Sequence, residues 1–288
     1  MPLTGNSVHV PPPYLQPEIL ADALTALSQA PLVPLAGGTD FYPARVGQCV
    51  VDGVLDLSRV AELRGFERAP SAWRFGALTT WSDVRRAALP RALRALQGAA
   101  AEVGGVQVQN AGTLGGNLCN ASPAADGVPA LLALDAEVEL RSVRGARSLP
   151  LQAFILGKQR TARAPDELLT AIRVPAFGPR TRSTFRKLGA RRYLVISVAA
   201  VAARVDFDES RRVTGAAIAV GACSEVAQRL GGLESRMKGV PVGALGDLPC
   251  AGDLDALSPR SDLRGSAAYR RDAVLQLLRR ALEELGDE

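Results

Sequence analysis

The run Asn110-Ala-Gly-Thr-Leu-Gly-Gly-Asn117, continuing through Leu-Cys-Asn-Ala-Ser-Pro-Ala-Ala-Asp126, constrains this chain more than any other stretch. Gly112, Gly115 and Gly116 stand among Asn110, Asn117, Asn120, Thr113, Ser122 and Asp126, far more polar and flexible residues than a turn requires. A segment this polar must satisfy its donors and acceptors somewhere, and a ligand rich in oxygens does so well. A second glycine stretch, Ala36-Gly37-Gly38-Thr39-Asp40, follows the short apolar run Leu32–Leu35. Gly37 and Gly38 carry no Cβ, so backbone N–H groups there can approach a ligand closely, and consecutive amides in such a turn form an anion-binding nest. Taken alone, this second stretch reads equally well as a plain β-turn. Asp40 beside a phosphate is explained if it bonds the loop's own amides or a ribose hydroxyl.

Two familiar phosphate motifs are excluded. Neither stretch ends in Gly-Lys-Ser/Thr, so there is no Walker A loop, and the spacing of Gly112, Gly115 and Gly116 is not G-x-G-x-x-G. Two well-separated glycine loops suggest instead a long diphosphate ligand clamped from two sides, which a dinucleotide fits better than a mononucleotide.

The remaining chemistry is sparse. His9 is the one histidine, in a proline-rich lead-in, so a Ser-His-Asp triad or a His-rich metal site would have to be built on it. Cys49, Cys119, Cys223 and Cys250 form no C-x-x-C pair, so the chain supports neither a zinc site nor an iron–sulfur cluster of its own. The net charge of +5 raises a nucleic-acid reading, with Arg180–Arg192 the densest basic cluster. The basic residues of the whole chain, however, are spread among nearly as many carboxylates, and a solvated face accounts for the cluster, with anionic cofactor phosphates or a partner subunit as the next readings. Met1–Pro13 lacks an apolar signal core, and no stretch approaches the ~20 apolar residues that span a bilayer, so a reducing cytoplasm is expected.

Patterning predicts an α+β protein. A helix from Pro17 precedes the strand Leu32–Leu35, and a second strand is expected over Val50–Leu57. Trp73–Leu78 reads as a strand, Thr79 or Thr80 as a helix cap, and Pro90–Val103 as a helix closed by Gly104-Gly105. Val106–Asp126 reads as loop, Pro129–Leu134 as a helical turn, and Glu137–Arg141 and Leu168–Val174 as strands. Beyond Pro175, Thr184–Leu188, Ser197–Phe207 and Val213–Val220 read as three strands. Periodicity leaves Val195–Val205 open between a buried strand and a helix packed on a sheet. Gly239–Asp262 is a connector, and Ala267–Leu285 a clear amphipathic helix.

At these residues the sequence resembles a known family. Leu35-Ala-Gly-Gly-Thr-Asp40, Phe75-Gly-Ala-Leu-Thr-Thr80 and the run from Gly112 to Asp126 are similar to the FAD-binding medium subunit of molybdenum hydroxylases, the xanthine dehydrogenase and carbon monoxide dehydrogenase flavoprotein family. Pro165-Asp-Glu-Leu-Leu169, Ile172-Arg-Val-Pro175, Phe185-Arg-Lys-Leu-Gly189 and Ser261-Asp-Leu-Arg with Ala268-Tyr-Arg270 extend the likeness over nearly the whole chain. The resemblance implies a bipartite FAD-binding domain over 1–177, with αβ subdomains of about 1–57 and 58–177. A C-terminal domain over 178–288, with a three-stranded antiparallel sheet and helices, would follow.

By that resemblance Val33, Pro34, Leu35, Ala36, Gly37, Gly38, Thr39 and Asp40, with Thr113, Leu114, Gly115, Gly116 and Asn117, hold the FAD pyrophosphate. Asn120, Ser122 and Asp126 line the rest of the site, Leu169 touches or supports the adenine end, and Lys187 adds a positive group near the flavin. Tyr193 reads as a cover for the isoalloxazine or as a half-buried core tyrosine. Many relatives carry Arg where this chain has Gln109, so a cation near the cofactor is lost or replaced. Cys119 reads as a small packed side chain. No catalytic acid or base and no metal ligand is expected, since the flavin carries the chemistry. The implied partners are a molybdenum-cofactor large subunit and a small subunit with two [2Fe–2S] clusters, arranged as a dimer of heterotrimers. Electrons would leave to NAD⁺, oxygen or another acceptor. The competing readings are a free-standing FAD-dependent oxidase or reductase, a non-catalytic dinucleotide-binding scaffold, and a nucleic-acid-binding surface.

Overall fold

A computed structural model describes residues 12–191 and 196–287. His9 and Tyr193 lie outside the described residues.

The chain opens with a small parallel sheet. Strand β1 (Tyr14–Leu15) precedes helix α1 (Leu20–Gln29), then β2 (Leu32–Leu35) and β3 (Gly53–Asp56), in the order β1-β3-β2. The i, i+3, i+4 spacing of Leu20, Ala23, Leu24 and Leu27 gives α1 one apolar face, and that face packs with Leu32 and Leu55 in a core of its own. Asp56, paired with Leu35 at the end of β2, accepts bonds from the Tyr14 hydroxyl at 2.5 Å and Gln16 Nε2 at 2.7 Å, which pins β1.

The next sheet is antiparallel and five-stranded. Its members are β4 (Phe66–Arg68), β5 (Ala72–Gly76), β6 (Glu137–Ser142), β7 (Gly145–Pro150) and β10 (Leu168–Pro175), in the order β4-β5-β10-β6-β7. Between β7 and β10 lie α7 (Leu151–Phe154) and a hairpin of β8 (Ile155–Gly157) and β9 (Arg160–Thr161). Between β5 and β6 run five helices: α2 (Trp81–Arg86), α3 (Arg94–Glu102), α4 (Val106–Ala111), α5 (Leu114–Asn120) and α6 (Gly127–Ala133). Thr80, rather than Thr79, caps α2: its hydroxyl accepts from Asp83 N–H while the Asp83 carboxylate accepts from Thr80 N–H, a capping box.

Two expectations are corrected. Val106–Asp126 is not loop; most of it is the two short helices α4 and α5. Asparagines and glycines disfavour a helix, but Leu114 and Leu118, four apart, are both fully buried, and that burial outweighs propensity. The C-terminal sheet has four strands, not three: β11 (Thr181–Gly189), β12 (Ser197–Phe207), β13 (Val213–Gly221) and the two-residue edge strand β14 (Gln228–Arg229). Helices α8 (Gly231–Met237) and α9 (Ala267–Asp287) pack on one face of it.

From Ser197 to Val205 the ambiguity resolves as strand, Val195 lying outside the described residues, and the reason is visible in the packing. Ala199, Val201, Ala203 and Val205 face the core shared with α8 and α9, while Ala200 and Ala202 face the core shared with α3 and α6. A strand buried on both faces has no apolar–polar alternation to read. No helix among the described residues is long and apolar enough to cross a membrane.

Candidate functional site

The C-terminal ends of parallel strands are where open α/β sheets place ligands. Here the chain leaves β2 at Leu35 and enters the first glycine loop at the mouth of a cleft of about 470 Å³. That volume falls in the range of small-molecule sites. One wall is the first loop. The floor is α5 with Ala77, Leu78 and Trp81. Residues of the β8–β9 hairpin, Arg163 and the start of β10 complete the lining.

The first loop is shaped by two glycines. Gly38 has φ +70°, the left-handed region open to glycine. Gly37 lies so close to the second loop that a Cβ there would sit 1.8 Å from the Ala111 carbonyl oxygen. From Gly37 through Phe41 no amide donates a hydrogen bond to another described residue; the loop's carbonyls do the bonding, with Gly38 O accepting from Tyr42 N–H at 3.2 Å. A row of unspent N–H groups facing a cleft is the nest an anion requires. The Asp40 side chain is exposed and bonds none of these amides among the described residues, so it leaves them open.

The second loop differs. Leu114 N–H donates to Thr79 O at 3.0 Å, Gly115 N–H to Ala77 O at 2.8 Å, Gly116 N–H to Thr113 Oγ1 at 3.0 Å, and Asn117 N–H to Thr113 O at 3.0 Å. Its glycines serve close packing. A Cβ on Gly115 would meet the Ala77 Cβ at 2.7 Å, and one on Gly127 would meet the Trp81 ring at 2.4 Å. Gly116 is the exception, since beyond its own cap residue the nearest atom to a Cβ is the Ala36 methyl at 3.9 Å, across the cleft. What this loop presents to the cleft is side-chain chemistry. The Thr113 hydroxyl, having accepted from Gly116, keeps its proton to donate. The Asn117 Oδ1 is buried without a partner among the described residues, and an unsatisfied buried acceptor calls for a donor from a ligand.

The expected site residues divide accordingly. Residues 33–40, Thr113, residues 115–117, Asn120 and Leu169 line one cleft. Leu114 lies beneath it, fully buried. Ser122 turns its hydroxyl to Ala124 N–H at 3.3 Å and does not line the cleft. Asp126 and Lys187, expected as polar groups beside the cofactor, are spent on each other instead. Lys187 Nζ donates to Asp126 Oδ2 at 2.6 Å and to Glu102 O at 3.1 Å, and the Ser197 hydroxyl donates to the other carboxylate oxygen. Burial pushes the Asp126 carboxyl above its usual range, against the pull of Lys187 and Ser197. Two opposite charges in a dry interior neutralise each other before either can serve a ligand. Gln109 is likewise buried, accepting from Arg85 at 3.1 Å and donating to Ala101 O at 3.1 Å.

Several cleft residues escaped the sequence reading: Phe41, Arg45, Trp81, Gln159, Thr161 and Arg163. Trp81 carried the one legible signal, an aromatic directly after the Thr80 cap. Cys119 also lines the cleft, and burial pushes its thiol up to about 11, with Arg163 pulling the other way. Among the described residues no group of His, Cys, Asp and Glu is placed to hold a metal ion. Open amides, an orphaned acceptor and free hydroxyls fit a dinucleotide cofactor.

Comparison with known proteins bears on which one. Residues 6–177 match the family model of the FAD binding domain in molybdopterin dehydrogenase, and residues 183–285 match that of the CO dehydrogenase flavoprotein C-terminal domain. The chain is 30% identical to the nicotinate dehydrogenase FAD-subunit of Eubacterium barkeri, over 96% of each chain. It is also 30% identical to the carbon monoxide dehydrogenase medium chain of Hydrogenophaga pseudoflava, covering 93% of this chain and 95% of that one. The crystal structure of a cyanide-inactivated Cu,Mo-CO dehydrogenase superposes with a TM-score of 0.88 at 26% identity, over 96% of this chain and 99% of that one.

Proposed function

The chain belongs to the family of FAD-binding medium subunits of molybdenum hydroxylases, and from that premise we propose that it is the electron outlet of a multi-subunit dehydrogenase. It is a flavoprotein oxidoreductase subunit with FAD as its cofactor. In the proposed assembly it receives electrons from the [2Fe–2S] clusters of a small subunit, downstream of a molybdenum-cofactor large subunit, and delivers them to NAD⁺, oxygen or another acceptor. The assembly is a dimer of heterotrimers in the cytoplasm. Residues 1–177 carry the cofactor and residues 178–288 form the flavoprotein C-terminal domain.

Bound FAD supplies the exchange between one-electron and two-electron carriers. The protein's part is binding and orientation. The open amides of Gly37 to Phe41 would hold the pyrophosphate, and the Thr113 hydroxyl, which accepts from Gly116 N–H, would have its proton to donate to it. Asn117 and Asn120 would offer side-chain amides and Leu169 an apolar surface in the same cleft. Ser122, Asp126 and Lys187 do not line the cleft, and the Lys187–Asp126 ion pair ties β11 to the start of α6.

The unspent row of amides in the first loop is the observation that carries this reading. Equal identity to subunits named for nicotinate and for carbon monoxide supports a further point: this subunit does not choose the substrate. The test is purification from the native cells followed by absorbance and metal analysis. A yellow complex containing FAD, molybdenum and iron is expected. A colourless monomer that takes up no FAD overturns the reading, and a yellow monomer active without partners favours the free-standing oxidase or reductase.

A further inference from the structure

We propose that Arg163 is the second half of the diphosphate grip, its guanidinium meeting phosphate oxygens in the same cleft that the Gly37–Phe41 amides line. The proposal rests on the reading of the cleft as an FAD site.

Among the described residues the cleft is lined by two cations, Arg45 and Arg163, and one carboxylate, Asp40. Arg45 is committed. It pairs with Asp52 at 3.3 Å, donates to Phe41 O at 3.2 Å, and lies 3.9 Å over the Phe41 ring. Arg163 is held differently. Its Nη1 donates to three carbonyls, Ala164 O at 3.2 Å, Pro165 O at 3.4 Å and Glu167 O at 2.7 Å, and no carboxylate pairs with it among the described residues. Carbonyls fix a guanidinium in place without cancelling its charge. Nε and Nη2 donate to no described residue, and neither is a buried orphan, so both are free to bond a ligand.

The tether is itself braced. Arg147 grips Glu167 through two bonds of 2.7 and 2.8 Å and donates to Ala162 O at 2.7 Å, while the Glu167 carboxylate accepts from Ala164 N–H at 2.8 Å. A half-buried cation held rigidly, without a counter-ion, at the rim of a cofactor cleft is matched by an anionic oxygen. The location suits the diphosphate. Arg163, Thr161 and Leu169 line the same cleft as Gly37, Gly38, Thr113 and Gly116. The second glycine loop leaves this role open, because its amides are already bonded within the protein. The neutral amides of the first loop orient the diphosphate, and the fork of Arg163 neutralises it.

The full-length chain, with Arg163→Ala, Arg163→Gln and Arg163→Lys variants, is titrated with FAD by flavin fluorescence, and ADP and adenosine are used as competitors. The alanine and glutamine variants are expected to bind FAD and ADP about 10- to 100-fold more weakly, the size of one charge-assisted hydrogen bond, and adenosine as well as before. Arg163→Lys should recover part of the loss, and the dependence of FAD affinity on salt should flatten in the neutral variants. A variant misfolded for structural reasons would lose adenosine along with ADP, so the ADP-to-adenosine ratio is the deciding readout. If one variant fails to fold, the others carry the same comparison. An unchanged ratio in the folded neutral variants overturns the role of Arg163 and leaves the FAD reading intact. Failure of the unmodified chain to take up FAD overturns both.

Discussion

From Gly37 to Phe41 no backbone amide is spent on another described residue, whereas from Leu114 to Asn117 every amide is already bonded within the protein. Both segments are rich in glycine, and glycine has two uses that composition does not separate. In the first loop Gly38 allows a left-handed turn that lines up open N–H groups. In the second, Gly115 allows two pieces of backbone to close on each other without a Cβ between them. The longer and more conspicuous run is the packed one, and the shorter run, ordinary by composition, carries the open donors.

The comparison predicts a graded set of outcomes. The largest belongs to Gly37, where the two loops touch. Gly37→Val places a side chain against the Ala111 carbonyl and must part the loops, so a loss of about 3 kcal/mol in denaturant stability and near-complete loss of bound flavin are expected. A stable, yellow Gly37→Val protein would mean the loops are not rigidly joined. Next is Gly115→Ala, expected to cost about 2 kcal/mol by overpacking against Ala77, with FAD affinity following only as far as the fold does. Gly116→Leu should give the opposite weighting: its Cβ meets only the Thr113 hydroxyl, at 2.9 Å, so a stability loss of about 1 kcal/mol from the disturbed cap is expected, while the rest of the side chain enters the cleft and flavin content falls close to zero. Equal behaviour of the Gly115 and Gly116 variants would erase the distinction drawn between packing and ligand-facing glycines.

The smallest effect concerns the brace behind Arg163. The Arg147 guanidinium bonded to Glu167 holds that carboxyl below its usual range, against the opposing effect of burial. Its folded value is depressed, so its stabilisation is present above the unfolded value of about 4.3 and is lost as pH falls through the folded value. Arg147 is half exposed, so the contribution is about 1 kcal/mol. Acid unfolding followed by circular dichroism should therefore show a step below about pH 4 that Glu167→Gln lacks.

Legibility in the sequence tracked burial geometry. Ser197–Phe207 was bounded correctly as a strand, yet the overlapping stretch Val195–Val205 could not be told from a helix, because both faces of β12 are covered. Gly145–Pro150 gave no signal at all: as an edge strand its residues are mostly exposed, and nothing alternates. Val106–Asp126 misled in the other direction, where glycine and asparagine argued for loop and only Leu114 with Leu118 argued for helix. The first-loop residues were found because strand, turn and glycine are contiguous. Arg163 was not, in a chain whose basic residues are nearly all arginine, because what distinguishes it is the carbonyls around it and the carboxylate it lacks.

The buried pairing of Lys187 with Asp126 has one more consequence, for labelling chemistry. The chain has three lysines, and Lys187 is inaccessible, its ammonium already donating to Asp126 and Glu102 O. Amine-directed acylation and cross-linking within the described residues will therefore report from Lys158 and Lys238 alone, both exposed, one beside the β8–β9 hairpin at the cleft and one at the end of α8. A footprint that protects the first and spares the second would mark the cleft side as the covered one, with no need to engineer new handles.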